Sequence, residues 1–368
     1  MNNEYGFSQT LAVHTGAVRS LAVQGSADML MSGSIDFSNK MYTMSQSTGK
    51  YEFVKEVLHH EGFVMNIIPS MTGTGFYSAG KDQRIVHIDI EGNPTMEFMG
   101  HTSSVNSLSQ AIPTELVSGS WDGTAKIWDV ETGQCKHTLE GHSHAVSVLT
   151  LPNGITITGS QDKKIRLWYG GELQKEFVAH DDIVRGFCEV PQLNGFASIS
   201  NDEMVKLWSM DGTHMMDFVG HKGFIFTVDC LATGEIVTGG DDCTVKLWAD
   251  GACKQTIQLP KTVWSVTHNQ YGDIIVGTED KKIRTFTRDN ARKDTDGADF
   301  HEYEEECKAA AQGGEQIDIS KLPDFKKAIE GKVRGKSDGF VQVFVEDGVA
   351  FAFMWSDAES KWNKIGEV

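Results

Sequence analysis

Histidine, hydroxyl and carboxylate residues recur along this chain in sets that could support nucleophilic catalysis. Ser118, His101 and Asp122 form one set; Thr158, His142 and Asp162 form another. A hydroxyl activated by a histidine that a carboxylate orients has the composition of an acyl-transfer triad. Catalysis needs one exposed, activated set in a pocket. Here the hydroxyl slot is filled again by Ser32, Ser78, Ser198 and Thr238, and the histidine slot by His14, His60, His180 and His221. So many equivalent sets argue against a catalytic centre and for a buried hydrogen-bonded network repeated in each unit of a repeat fold. The sequence therefore predicts a protein that is not an enzyme, with His101, Ser118, Asp122, His142, Thr158 and Asp162 structural, together with Trp128 and Trp168. The six cysteines include no CxxC pair and no matching histidine pair, so they read as reduced thiols. Neither a metal nor a cofactor is expected.

The elements that position these residues are repeats. Gly119–Asp129 reads GSWDGTAKIWD, and related copies end at Tyr42, Ile88, Trp168, Trp208, Trp248 and Phe286. Their aspartates fall at Asp36, Asp82, Asp122, Asp162, Asp202, Asp242 and Asp280, with spacings of 46, 40, 40, 40, 40 and 38. A closing apolar or aromatic residue lies six positions after each aspartate. A period near 40 with Gly-His and Trp-Asp markers is the signature of WD-repeat propeller blades. Each copy carries short alternating apolar runs separated by polar turns, enough for four antiparallel strands. The prediction is an all-β, seven-bladed WD-repeat β-propeller over residues 1–290.

Ring closure is also predicted. No fourth strand follows Phe286, whereas Phe7–Leu11 stands in outer-strand register, since Leu11 precedes His14 by the same three residues as Leu139 precedes His142. The N-terminal strand should complete the last blade and remove the open edge. That blade lacks the polar set, with Val276 in the hydroxyl slot and Phe286 in the tryptophan slot, so packing should hold it.

Composition narrows the partners. The chain has 33 Lys+Arg against 51 Asp+Glu, a formal charge of −18, which argues against nucleic acid or an anionic membrane as partner. No apolar stretch approaches a membrane span, and the start MNNEYGFSQT lacks a secretory signal pattern. A propeller presents the residue before each turn aspartate and the residues flanking the first apolar residue of each inner strand. Those positions hold Trp121, Phe63, Met65, Phe224, Phe226 and Trp264, with Arg19 and Arg185 beside them. One apolar, aromatic patch rimmed by the arginines suits a protein partner. A scaffold reading a phosphopeptide is the alternative, for which Arg19, Arg185 and Lys81 supply part of a basic cluster.

Residues 291–316 read as an acidic, solvated linker, with a short helix candidate at 300–311. Residues 317–368 follow with a helix candidate at 325–329 and a β-hairpin signal, strands at 339–345 and 349–355 about the turn Glu346-Asp347-Gly348. So few residues are a small core, and a truncated α+β domain is expected.

Two regions then match one family. The hairpin with Trp355-Ser356, followed by Lys361-Trp362-Asn-Lys-Ile365-Gly366, resembles the PFU ubiquitin-binding domain of the PLAA family, the phospholipase-activating proteins. Ser120-Trp121-Asp122-Gly-Thr-Ala-Lys126, Leu259-Pro260-Lys-Thr-Val-Trp264 and His14-Thr-Gly-Ala-Val18-Arg19 resemble that family's third, seventh and first blades. The resemblance implies a non-enzymatic adaptor of ubiquitin-dependent degradation and ubiquitin recycling, cytoplasmic and nuclear. It would bind ubiquitin through the propeller face and through a partial PFU domain bearing Trp355, Trp362 and Ile365. It also implies an AAA segregase as partner, through a helical-repeat domain not found in this sequence.

Overall fold

The computed structural model describes residues 4–312, for Ser26 and Gln312 the backbone alone, and the backbone of three strands beyond them, Val341–Glu346, Val349–Ser356 and Lys361–Glu367. Strands over residues 6–287 form seven four-stranded antiparallel sheets, the blades of the expected propeller. In each blade the second strand is buried almost throughout, because neighbouring blades cover both its faces. Met29–Ser34, Gly75–Gly80 and Gly195–Ser200 are buried at every position. Such strands must be slim. A β-carbon on Gly33 would stand 2.4 Å from a Val64 methyl of the next blade, one on Gly239 2.3 Å from Val263, and one on Gly277 2.7 Å from Val18. The recurring glycine is thus the spacing element between blades.

Closure follows the sequence prediction. The N-terminal strand Gly6–Leu11 pairs antiparallel with Ile283–Thr287, setting Phe7 opposite Phe286 and Leu11 opposite Ile283. Four strands from both ends of this region therefore make blade 7, and no blade keeps a bare outer third strand.

Blade 7 holds itself by a device the repeat pattern does not announce. Arg284 is fully buried in the place of the histidine network. Its guanidinium reaches the Asp280 carboxylate at 2.6 Å, the Thr278 hydroxyl at 2.9 Å and the Glu306 carboxylate at 2.7 Å. Glu306 belongs to helix α1, Ala298–Gln312. Lys282 adds bonds to Glu302 at 2.6 Å and Glu306 at 2.5 Å. Tyr303 stacks on Phe7 with ring centroids 4.9 Å apart, and Phe300 packs beside it.

The described part of 291–316 is therefore packed chain rather than the solvated linker expected from its charge. The physical reason is placement. Phe300 and Tyr303 share one helix face at i,i+3, and Glu302 and Glu306 align at i,i+4 opposite two strand cations. Arg292 is likewise bound to Asp273, and Arg288 holds Glu235 at 2.6 Å.

The C-terminal strands form a separate antiparallel sheet, with Val349–Ser356 between the other two. The hairpin expected at 339–345 and 349–355 appears within a residue or two, and Lys361–Glu367 adds a third strand. Trp355 and Trp362 are register partners in it. The helix candidate at 325–329 and the turn residues 347–348 lie outside the described residues, as do the side chains of Trp355, Trp362 and Ile365. Among the described residues no helix is long and apolar enough to cross a membrane.

Tyr303→Ala removes the stacked ring on Phe7 and the hydroxyl that donates to the Gln258 carbonyl at 2.6 Å. The expected loss is about 2–3 kcal/mol, read as a lower urea midpoint for the propeller. An unchanged midpoint would mean that α1 contributes nothing to closure.

Candidate protein-binding face

The repeated polar sets are proton-ordered networks buried between turn and strand. In blade 3 the Trp128 indole N–H donates to Ser118 Oγ at 2.8 Å. The Ser118 hydroxyl lies 2.7 Å from His101 Nε2, and His101 Nδ1 lies 2.8 Å from Asp122 Oδ2. Because the tryptophan can only donate, the serine hydroxyl passes its proton on to Nε2, and the neutral tautomer with a proton on Nδ1 completes the chain. Blade 4 repeats this with Trp168, Thr158, His142 and Asp162 at 2.9, 2.8 and 2.8 Å. Blades 5 and 6 repeat it with Trp208 and Trp248. Ser118 and Thr158 have no exposed surface. Their oxygens are capped by indole N–H groups, so no substrate can reach them. Among the described residues no cluster of three His, Cys, Asp or Glu side chains gathers at one point.

Titration follows from this geometry. Burial lowers the pKa of His14, His101 and His142, against the upward pull of their aspartates. Burial raises the aspartates in turn, but hydrogen bonds outweigh it. The Thr124 hydroxyl, the Thr102 N–H and His101 hold Asp122 down at about 2, and Asp202 and Asp242 are held at about 2 in the same way.

The face residues fall into two layers, where the sequence reading placed them in one patch. The outer layer is on the turns. Trp121 is 54% exposed and Phe224 is 42% exposed. Phe63 is half-buried, with Lys81 Nζ 4.7 Å above its ring. Backbone bonds tie this layer together: the Trp121 N–H donates to the Ser104 carbonyl at 2.9 Å, that of Lys81 to Phe63 at 2.8 Å, and that of Asp241 to Phe224 at 2.8 Å.

The inner layer lines the central channel, a space of about 680 Å³. Arg19, Met65, Asn106, Arg185, Phe226 and Trp264 lie there, one per inner strand, and Trp121 of the outer layer reaches the lining as well. Each sits at a register shift between its strand and the next, as between Val18 and Ser20 or between Val263 and Ser265. Blade 4, with Ser147, keeps regular register. These bulges re-aim the side chains toward the axis. There four of them form one stack. The Arg19 guanidinium lies 3.8 Å over the Trp264 ring, Trp264 stacks on Phe226 at 4.4 Å, and Arg185 lies 5.6 Å from the Phe226 ring. The two arginines are thus channel residues rather than the rim of a patch. Phe224 touches the stack edge-on at 6.3 Å and links the layers, while Trp121 stacks on no other ring among the described residues.

One aromatic packed against this face escaped the sequence reading. Phe37, after the blade 1 turn aspartate, is 42% exposed and packs on Phe63 at 5.7 Å. It adopts a positive φ of 73°, a conformation from which a bulky side chain is not expected. The signal available was its position alone.

Comparison with known proteins places this architecture. The WD40 family pattern, described as WD domain, G-beta repeat, matches residues 6–43, 92–129, 133–169 and 212–249. The chain is similar to the ubiquitin homeostasis protein lub1 of Schizosaccharomyces pombe, with 34% identity over 357 residues, covering 91% of this chain and 49% of that protein. It is also similar to Mitochondrial division protein 1 of the same organism, with 28% identity over 202 residues, covering 54% and 28%. Among solved structures, the WD40 beta propeller domain of Doa1 superposes with a TM-score of 0.72 and 30% identity, covering 79% of this chain and 99% of that one. The chain spans about half the length of lub1 and less of several other curated relatives it matches.

Two outcomes test the structural assignment. Trp128→Ala or Asp122→Ala should cost a few kcal/mol of stability, since each opens a cavity or strands buried partners. Stability should also fall on acidification. The histidines with lowered pKa and the aspartates held near 2 both bind more protons when unfolded. Their contribution is complete above about pH 6.5. It should decline first as unfolded-state histidine protonates and then most steeply from about pH 4 to about pH 2. Urea midpoints flat from pH 7 to pH 3 would contradict this.

Proposed function

As the chain belongs to the PLAA family of WD40-repeat propellers, we propose that it is a non-enzymatic adaptor whose propeller face binds ubiquitin. The observation that carries this reading is the outer layer of Trp121, Phe224, Phe63 and Phe37. These large side chains stand on turns, partly in water, where the blades do not need them. Exposed aromatics at rigid positions act as anchors for an apolar surface on a partner. The similarity to the ubiquitin homeostasis protein lub1 supports the choice of ubiquitin. On the same reading the C-terminal strands belong to a PFU module in which Trp355, Trp362 and Ile365 contact a ubiquitin. The adaptor would serve ubiquitin-dependent degradation in cytoplasm and nucleus, with the AAA segregase as its proposed downstream partner.

The test is titration of isotope-labelled ubiquitin with a propeller ending at Gln312. That boundary retains α1 and removes the C-terminal strands as a parallel binder. A small partner on a modest interface should bind in the micromolar range. Trp121→Ala and Phe224→Ala should each weaken binding roughly 30-fold, about 2 kcal/mol, without lowering the melting temperature. Intact titration shifts in both folded variants would move the site off this face and make the C-terminal strands the better candidate.

A further inference from the structure

The described residues include seven arginines, and charge pairing separates them sharply. Arg84, Arg166, Arg284, Arg288 and Arg292 each form an ion pair with a carboxylate. Arg19 and Arg185 form none among the described residues, and both lie in the central channel. This is unexpected in a chain of net charge −18, where carboxylates outnumber cations.

Both guanidiniums are held by aromatic faces. Arg19 rests on Trp264 at 3.8 Å, and Arg185 is 5.6 Å from Phe226, the ring stacked on Trp264. Arg185 makes one hydrogen bond, from Nε to Asn201 Oδ1 at 2.7 Å, which leaves its terminal nitrogens without a protein partner. A π face orients a guanidinium without neutralising it and leaves the in-plane N–H donors unused. The carboxylate lining the channel, Asp229, is already held by His268 Nδ1 at 2.7 Å. Burial in the channel, and then the charge of Arg185, disfavour the charged form of Arg19. Burial likewise disfavours the charged form of Arg185, and Asp182 opposes this from a distance, but no carboxylate among the described residues forms an ion pair with either arginine.

We infer that the channel is a binding site for a phosphate-monoester group, held by Arg19 and Arg185 on the Trp264–Phe226 stack. Two guanidiniums without an ion-pair partner favour a dianion, and planar N–H forks suit phosphate oxygens. A channel walled by protein strengthens that attraction over its value in open water. The inference does not rest on ubiquitin binding, which is proposed for the aromatics of the turns.

The test uses the full chain, with two sources of the same group titrated separately by calorimetry at fixed ionic strength. One arm is inorganic phosphate; the other is a short phosphoserine peptide with its unphosphorylated twin. Saturable binding in the first arm, with no gain from the peptide, supports the site and assigns a small free phosphate. Tighter binding of the phosphopeptide than of phosphate, with none by the twin, supports it and assigns a phosphorylated protein segment. Arg19→Gln and Arg185→Gln should each weaken binding at least tenfold, whereas Lys254→Gln, which removes a charge from an outer strand, should not. Arg185 is exposed, so its variant keeps the test open if Arg19→Gln does not fold. Heat without saturation in both arms would overturn the inference. So would acetate binding as tightly as phosphate, or folded arginine variants that titrate like the unaltered chain.

Discussion

The structure depends on one pairing, the N-terminal strand laid against Ile283–Thr287. A ring of blades buries both faces of every sheet only if the last blade meets the first. The seam created by this pairing carries close contacts. Gly277 admits Val18 of blade 1, and Ser265 Oγ accepts the Leu21 N–H at 3.0 Å. The same seam makes the channel site, because Arg19 comes from blade 1 and Trp264 from blade 7. An open ring would part the cation from its aromatic support. Helix α1 reinforces the seam by fastening Phe7 and Arg284 from outside, so a segment of linker composition serves closure.

Within each blade the histidine network sets the turn, and the turn sets the face. Asp122 accepts from the Thr102 N–H at 3.0 Å and the Thr124 N–H at 2.9 Å while it holds His101. This fixes the backbone on both sides of the aspartate, and Trp121 is the residue delivered to the surface. The network's stability and the face's affinity are therefore separable. Damage to His101 or Asp122 acts through folding, whereas loss of Trp121 acts on a partner.

Blade count, closure register and the recurrence of the His, hydroxyl and Asp sets were all legible in the sequence. They were legible because a buried proton chain tolerates few residue types, so each blade repeats them at one spacing. The division of the face into two layers was not. It depends on bulges at Arg19, Met65, Asn106, Arg185, Phe226 and Trp264, and a register shift leaves no composition signal. Spacing did place these residues on inner strands, but it could not tell a channel wall from a rim. Arg284 was missed for another reason. Arg166 stands four residues after its own aspartate in the same way, so position does not single Arg284 out, and its partner Glu306 is brought to it only by folding. Charge composition of 291–316 misled because it averages over a helix whose two faces differ.

The turns also explain why binding residues can vary without unsettling the blades. In all seven, the residue after the aspartate is left-handed: Phe37, Gln83, Gly123, Lys163, Glu203, Cys243 and Lys281 have φ between 57° and 83°. Glycine fills this position once, although a side chain there costs roughly 1–2 kcal/mol. The aspartate offsets that strain. Its Oδ1 accepts the N–H two residues on, at 3.1 Å in blade 1 and 3.4 Å in blade 7, so blade 7 keeps the device without its histidine. With geometry fixed by the carboxylate, several flanking side chains are released to face solvent, Trp121 among them, whereas Asn201 is buried against Arg185. Phe37 can then turn its ring onto Phe63, and Lys81 can hold its charge over the same ring. A fold that assigns its constant residues to the backbone leaves the neighbours of each aspartate as the positions where partner choice is encoded.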